Sequence, residues 1–573
     1  MGGILRNNKR SSSPGGGTED TMNKSKMARI GSFVDLSRGA KAVDSKHILD
    51  NGPNCKYNNP DPNAKFPKQK TNIICTLGPV SRDVPKLEEM LKGGMRVARF
   101  NFSHGTHQYH QETLDALRQA CLNTGIECAA LLDTKGPEIR TGMLDHGEPV
   151  QLHKDSIITL TTDYTAKGNE KLVAVSYPSL AKHVSEGSKI LCADGSITFT
   201  VISCDVDAGT VQVRCENSAK LGERKNMNLP GVNVDLPTIT EKDRDDLLNW
   251  GVKNNVDFVA ASFVRKGSDI DYIREVLGPE ASKTINIISK VENMEGLDNY
   301  DEIVEKSDAV MVARGDLGME IHLEQIFLAQ KRMIKRCNEA GKPVIVATQM
   351  LESMTGAPRP TRAEATDVAN SVLDGTDCVM LSGETAAGAY PVEAVTIMAD
   401  ICRESEAYVD NYAVFKNLID HQPIPMATLE SLASSAVRSA HKVGAELIVC
   451  LAKSGRTAQL LAKYRPNAQI LAVCVEDPHD LKHDASSVAR RLLLSRGICP
   501  IVAPLAWRAS KAETDADPVA GAKHDHLSVT ETRNIMQNAI DYAKKLGMVQ
   551  EGDKVVGVHR IVGDSIMKIV ECH

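Results

Sequence analysis

An apolar run of strand length, closed by a polar tip and followed by a helix-length segment, recurs eight times between Thr71 and Thr385. The runs are Thr71–Leu77, Val97–Phe102, Cys128–Leu132, Phe258–Phe263, Ile285–Ile288, Ala309–Ala313, Pro343–Ala347 and Cys378–Leu381. Eight such units close a parallel barrel, and barrels of this kind carry their chemistry at the C-terminal ends of the strands. The polar residues of this chain concentrate at that end. An open, doubly wound sheet is the alternative, but no glycine-rich dinucleotide fingerprint follows the first strand. The alternation breaks once, over 141–238, where short strands (Ser156–Thr161, Lys171–Val175, Lys189–Cys192, Ile197–Cys204, Thr210–Cys215) are separated by Gly, Asp and Asn turns. Strands spaced this closely without helices form a small all-β module. Beyond about residue 410 a further α/β unit follows, with a helix over Leu429–Val443 and strands at Leu447–Leu451, Ile470–Cys474 and Lys554–Val558.

Two of the units, between Ile285 and Gly318, carry the densest charge. The apolar run Ile285–Ile288 leads into Lys290 and Glu292, and Ala309–Ala313 leads into Arg314, Gly315 and Asp316. Met294–Lys306 between them has the length of a helix, so the pair forms β-α-β with both charged tips at one end of a parallel sheet. Alternation along a strand puts Lys290 and Glu292 on one face. Two carboxylates beside a cation suit a hard divalent metal shared with a phosphorylated or carboxylated ligand. A buried ion pair at a strand end explains these residues equally well.

Composition narrows the classes. A net charge of −6 offers no basic footprint for nucleic acid. The 14 cysteines form no C-x-x-C pair, and several (Cys75, Cys378, Cys450) lie in apolar runs. They are expected to be reduced core thiols, in a cytoplasmic protein, and neither a disulfide framework nor a zinc site. No apolar run approaches membrane-spanning length. The first residues lack the apolar core of a secretory signal, and 1–67, rich in Asn, Pro, Lys and Ser, is expected to be a disordered extension.

Collected in chain order, the tips read Arg99-Phe100-Asn101-Phe102-Ser103-His104, Asp133-Thr134-Lys135-Gly136-Pro137-Glu138-Ile139-Arg140, Lys290-Val291-Glu292, Ala313-Arg314-Gly315-Asp316, Thr348-Gln349-Met350-Leu351-Glu352-Ser353 and Ser382-Gly383-Glu384-Thr385. In this order, on an eightfold pattern interrupted after the third strand, they resemble the pyruvate kinase family from about Thr71 to the C-terminus. The resemblance implies a (β/α)8 TIM barrel in two parts, 68–140 and 239–409, with an inserted small β-barrel lid over 141–238 and a C-terminal α/β regulatory domain over 410–573. It also implies transfer of a phosphoryl group from phosphoenolpyruvate to ADP, giving pyruvate and ATP, in a homotetramer.

By the same resemblance Glu292 and Asp316 hold Mg2+ or Mn2+, Lys290 and Arg99 contact the transferring phosphoryl group, and Gly315 admits the substrate carboxylate. Asn101, Ser103, Asp133 and Thr134 match a K+ site, and Glu138 is the residue type of K+-requiring members. Asn101, His104, Arg140 and Lys225 contact nucleotide, the last from the lid; His104 has the alternative of capping the helix after it. Thr348, with Ser382 and Glu384, serves protonation of the enolate.

Lys453-Ser454-Gly455-Arg456-Thr457, a strand-to-helix turn, lies where relatives bind a sugar-phosphate effector. Relatives regulated by fructose-1,6-bisphosphate carry a Trp-Arg-Pro-Gly-Ser-Gly-like loop near the C-terminus, where this chain has Gly557-Val558-His559-Arg560-Ile561-Val562-Gly563-Asp564-Ser565. Ala452 also replaces a hydroxyl residue at the start of the turn, so a different phosphorylated metabolite is expected. The competing readings are a metal-dependent barrel lyase or aldolase and a catalytically silent paralogue.

Overall fold

The computed structural model describes residues 69–476, 484–508, 527–561 and 564–573. The expected extension over 1–67, all but the first residue of the polar segment 508–526, which reads as a surface insertion, and the side chains of Arg560, Ile561 and Asp564 lie outside the described residues.

The chain opens with β1 (Asn72–Thr76), β2 (Met95–Asn101) and β3 (Ala129–Asp133). It then enters the inserted module through β4 (Val150–Leu152), β5 (Ile157–Thr161), β6 (Leu172–Ala174), β7 (Lys189–Cys192), β8 (Ile197–Asp205), β9 (Thr210–Cys215), β10 (Ala219–Leu221) and β11 (Met227–Asn228). It returns with β12 (Phe258–Ala261), β13 (Asn286–Val291), β14 (Ala309–Ala313), β15 (Val344–Ala347) and β16 (Cys378–Leu381). These eight outer-numbered strands, β1–β3 and β12–β16, close a parallel barrel in the order β1-β16-β15-β14-β13-β12-β3-β2. Covered on both faces, they need continuous apolar sequence, which is why they read as unbroken runs. Residues of one set (Ile74, Val97, Leu131, Phe258, Ile288, Met311, Ile345) fill the interior. Their neighbours, such as Ile73, Cys75 and Val310, pack outward on the helices.

The module is the small barrel expected of it, closed through residues 139–142. Six strands run in the order β11-β7-β8-β9-β5-β6, and β4 pairs with β10 beside them. Its edge strands β11 and β6 span two and three residues, and residues 139–142 join them: Thr141 N–H donates to the Lys225 carbonyl and Met227 N–H to the Ile139 carbonyl, both at 2.8 Å, while Gly142 N–H donates to the Ala174 carbonyl at 2.8 Å and Ser176 N–H to the Arg140 carbonyl at 2.9 Å. The C-terminal sheet orders as β19-β18-β17-β20-β21, from β17 (Leu447–Ala452), β18 (Gln469–Cys474), β19 (Ile498–Val502), β20 (Lys554–Ile561) and β21 (Asp564–Glu571).

Two helical segments depart from a regular α-helix. Glu241–Asp245 is α-helical, but Asp246–Val252 continues as a π-helix. The wider turn seats buried Trp250 against Phe100 and Phe102, with ring centroids 5.4 and 5.0 Å away. Met294–Lys306 is two helices divided at Asn299, whose Nδ2 donates to the Arg265 carbonyl at 2.9 Å instead of facing solvent.

The C-terminal domain seals the barrel end opposite the polar tips. Leu493 and Leu494 join the interior cluster. Asp377, just ahead of β16, receives Arg465 in a bidentate pair (Nη1–Oδ1 2.8 Å, Nη2–Oδ2 3.0 Å), and Arg490 meets Asp257, just ahead of β12, at 2.9 Å. Both members of the Arg465–Asp377 pair are only 6% exposed, so removing one strands the other charge in the interior. Arg465→Leu is expected to cost about 3–5 kcal/mol in urea unfolding of the full chain. Arg336→Leu, which breaks the exposed pair with Asp301, should change it by less than about 1 kcal/mol.

Candidate active site

The polar tips meet at the open end of the barrel. Parallel register sets Asn101 beside Asp133 and Thr76 beside Arg99. Asp133 is 1% exposed and lies between two cations: Arg99 Nε donates to its Oδ2 at 2.6 Å, and Lys290 Nζ stands 3.3 Å from its Oδ1. Lys290 Nζ is also 3.0 Å from Glu292 Oε1 and donates to Ser262 Oγ at 2.8 Å. The second Glu292 oxygen accepts the Phe263 N–H at 2.6 Å. The expected same-face placement of Lys290 and Glu292 is therefore realised as a contact.

These contacts set the protonation states. Burial opposes the charged form of Asp133, but Arg99 and Lys290 outweigh it and hold the carboxyl below its ordinary range. Burial likewise opposes the Lys290 ammonium, and Asp133 and Glu292 overcome it, so the lysine holds its proton more tightly than a free one. Asp316 behaves oppositely. Burial first, and the Glu292 charge second, push it up to about 7. Two cations against three carboxylates leave negative charge in excess, with Asp316 poorly compensated. This donor set fits a divalent cation on Glu292 and Asp316. Asp133 Oδ1, buried without a hydrogen bond of its own, fits a further cation among the oxygens of Asn101, Ser103 and Thr134. Asn101 Oδ1 accepts the Ser103 N–H at 3.1 Å, and the Thr134 carbonyl accepts Ser262 Oγ at 2.7 Å.

Thr348 and Gln349, just beyond β15, hold left-handed backbone (φ 74° and 53°). For a β-branched residue this costs on the order of 1–3 kcal/mol and persists only where the surroundings impose it. Gly315 packs against Thr348 so closely that a Cβ there would lie 3.0 Å from Thr348 Cγ2. Glu384 is fully buried, with Oε1 accepting the Leu351 N–H at 3.0 Å and Oε2 the Ser382 N–H at 2.6 Å. It ties the two loops together, and both its oxygens are engaged.

The nucleotide candidates line the rim. His104 is exposed and does not cap the following helix: Thr106 does, accepting from Tyr109 N at 3.2 Å. Arg140 donates to Glu138 at 2.7 Å and to the Arg224 carbonyl at 2.8 Å, and Lys225 is exposed beside them. Glu138 and Asp316 share a cleft walled by the module segment 226–236 and by Phe263, Arg265 and Glu320 of the barrel. Far from this cleft in the sequence, Lys453 and Ser454 are exposed after β17, and Gly455 (φ 86°) caps the helix Arg456–Lys463, with Thr457 in its first turn.

Three contributors escape sequence reasoning. Thr76 accepts from Arg99 Nη1 at 2.8 Å and donates to the Leu381 carbonyl at 3.0 Å. Ser262 braces Lys290. Asp243, wholly buried, accepts the N–H groups of Lys135 and Gly136 at 2.9 and 3.2 Å, fixing the start of the module. Thr76 and Ser262 occupy the same strand-end position as the residues that were singled out, and that position was the available signal.

The family model described as "Pyruvate kinase, barrel domain" matches residues 68–395, and "Pyruvate kinase, alpha/beta domain" matches 430–570. The chain belongs to the pyruvate kinase family. It is 57% identical to the cytosolic isozyme of pyruvate kinase from Solanum tuberosum over 87% of this chain and 95% of that one. The pyruvate kinase of Eimeria tenella is 46% identical over 87% of each chain. A crystal structure of pyruvate kinase from Cryptosporidium parvum, 43% identical, superposes with a TM-score of 0.79 over 88% of this chain and 97% of that one. The protein is thus a phosphotransferase of the pyruvate kinase type. Among the described residues no helix is long and apolar enough to cross a membrane.

The contact at Gly315 makes a direct prediction. Gly315→Ala must displace Thr348 from its imposed backbone and is expected to lower pyruvate kinase kcat by roughly 10²-fold. Gly356→Ala, with nothing within 4 Å of the added Cβ, should leave both kcat and the melting temperature unchanged.

Proposed function

We propose that the chain transfers the phosphoryl group of phosphoenolpyruvate to ADP, yielding pyruvate and ATP. The observation that carries this reading is Lys290, buried and kept protonated between Asp133 and Glu292 beside Arg99. The bond from phosphorus to the enol oxygen breaks, a bond to the terminal oxygen of ADP forms, and an electron pair remains on the enolate. Lys290 and Arg99 stabilise the charge on the transferring group and the enolate oxygen, a form of fixed electrostatic stabilisation. Because Lys290 holds its proton tightly, it acts as a charge and not as the acid. The proton delivered to carbon comes by way of Thr348, with Ser382 held in place by Glu384.

Glu292 and Asp316 would hold Mg2+ or Mn2+, and Asn101, Ser103, Asp133 and Thr134 would hold K+. These ions, when bound, neutralise carboxylate and phosphate oxygens of the substrates. Gly315 leaves backbone accessible to the substrate carboxylate, and Asn101, His104, Arg140 and Lys225 serve the nucleotide. The exposed turn Lys453–Thr457 is read as the site of a phosphorylated effector, of the sugar-phosphate class. A homotetramer accords with family membership, and relatives named as cytosolic isozymes support a cytoplasmic enzyme.

Pyruvate formation from phosphoenolpyruvate and ADP, coupled to lactate dehydrogenase, tests the reading with and without Mg2+ and K+. Turnover should require ADP and both ions, and Lys290→Met should lower kcat by about 10²–10³-fold or more. Pyruvate released without ADP would replace this reading by a phosphatase or lyase.

A further inference from the structure

Arg314 lies beside the proposed metal ligand Asp316 and is assigned no part in the reaction described above. It opens the helix Arg314–Glu320, yet its side chain turns away toward the end of β15. Nε donates to the Ala347 carbonyl at 3.1 Å and Nη2 to the Thr348 carbonyl at 2.7 Å. Nη1 donates to Asp367 Oδ1 at 2.8 Å, and Nη2 stands 2.8 Å from Asp367 Oδ2. Gln330 Oε1, at 3.4 Å, and the Met350 sulfur, at 2.9 Å, complete its surroundings. The side chain is 13% exposed.

This is a fork-shaped cation whose donors are divided between two consecutive carbonyls and one carboxylate. The carbonyls belong to Thr348, the first of the two left-handed residues, and to Ala347 just before it. Left to itself, a threonine would leave that conformation. On its other side Thr348 meets the backbone of Gly315, the residue next to Arg314. Thr348 is thus gripped through its carbonyl by one residue and through its methyl by the next, while the third, Asp316, faces the metal position. Asp367, from the helix Arg362–Leu373, supplies the counter-charge that keeps the fork aimed.

We propose that Arg314, oriented by Asp367, is a positioning residue for Thr348, holding its hydroxyl where the enolate is protonated. The proposal rests on the reading of Thr348 given above. It separates Arg314 from Lys290 and Arg99, which act on the phosphoryl group directly. Lysine at 314 would keep the charge and lose the fork, since one ammonium cannot span both carbonyls and the carboxylate.

The test follows the proton-transfer half-reaction by itself. With Mg2+, K+ and ATP present, pyruvate in D2O exchanges its methyl protons by the reverse step: a C–H bond breaks, the electron pair enters the enolate, and deuterium returns from solvent. NMR reads the rate. Arg314→Lys is expected to slow methyl exchange and kcat together by about 10–100-fold. The KM for phosphoenolpyruvate and the Mn2+ dissociation constant from electron paramagnetic resonance should stay within about twofold, because those ligands do not depend on Thr348. Asp367→Asn should move the same two quantities in the same direction by less. Wild-type exchange in Arg314→Lys would overturn the proposal, as would loss of exchange matched by equal loss of Mn2+ binding, which marks a general disruption. Thr348→Val, measured alongside, keeps the two readings apart. Exchange unaffected by Thr348→Val removes the role of Thr348 and the proposal with it. Exchange lost in Thr348→Val but retained in Arg314→Lys removes only the proposal.

Discussion

One buried carboxylate underlies the geometry of the site. Asp133 sits between Arg99 and Lys290, and without it two cations would face each other at the barrel mouth with Glu292 as their only close counter-charge. Its neutralisation by both explains why it stays ionised although 1% exposed. The chain of contacts runs on from there: Arg99 to Thr76, Lys290 to Ser262 and Glu292, and Glu292 to the Phe263 N–H. Apart from Lys290–Glu292, each link joins the ends of two different strands, so those strands must come together before it forms. Fixed charges of this kind need no rearrangement as the reaction proceeds, which is where their catalytic value lies.

The two ends of the barrel use buried charge for different purposes. At the end sealed by the C-terminal domain, Asp377 and Asp257 are saturated by Arg465, Arg490 and backbone N–H groups. At the open end, Asp133 Oδ1 lacks a hydrogen bond and Asp316 is pushed toward neutrality by burial and by Glu292. Incomplete compensation is unfavourable for the folded chain alone and favourable once cations and anionic substrates arrive. Left-handed backbone at non-glycine residues occurs at this end, at Phe263, Thr348 and Gln349, and at the sealed end, at Asn255 and Arg465.

Much of this was legible before any coordinates. Cys378–Leu381, Lys189–Cys192 and Thr210–Cys215 are strands with the bounds their apolar runs indicate. Continuous or strictly alternating apolar sequence leaves few alternatives at such places. The revisions fall where a side chain competes with regular structure. Asn299 divides one helix by bonding to Arg265, and the packing of Trp250 accompanies a π-helix that no periodicity announces. Thr76, Ser262 and Asp243 went unnoticed because a lone hydroxyl or carboxylate at a strand end or helix start is common, and its value lies in what faces it.

The sequence by itself determined the eightfold alternation, the place of its interruption, and the residue types gathered at one end of the strands. These are local properties, set by burial on both faces of a strand and by the motifs that follow it. Only the tertiary structure decided who meets whom. That Asp133 accepts from Arg99, that Glu384 accepts the Leu351 N–H, and that Arg314 reaches past its own helix to the Thr348 carbonyl are contacts between residues 34, 33 and 34 apart. Contacts across that separation follow from strand order, register and closure of the barrel, which no local pattern encodes.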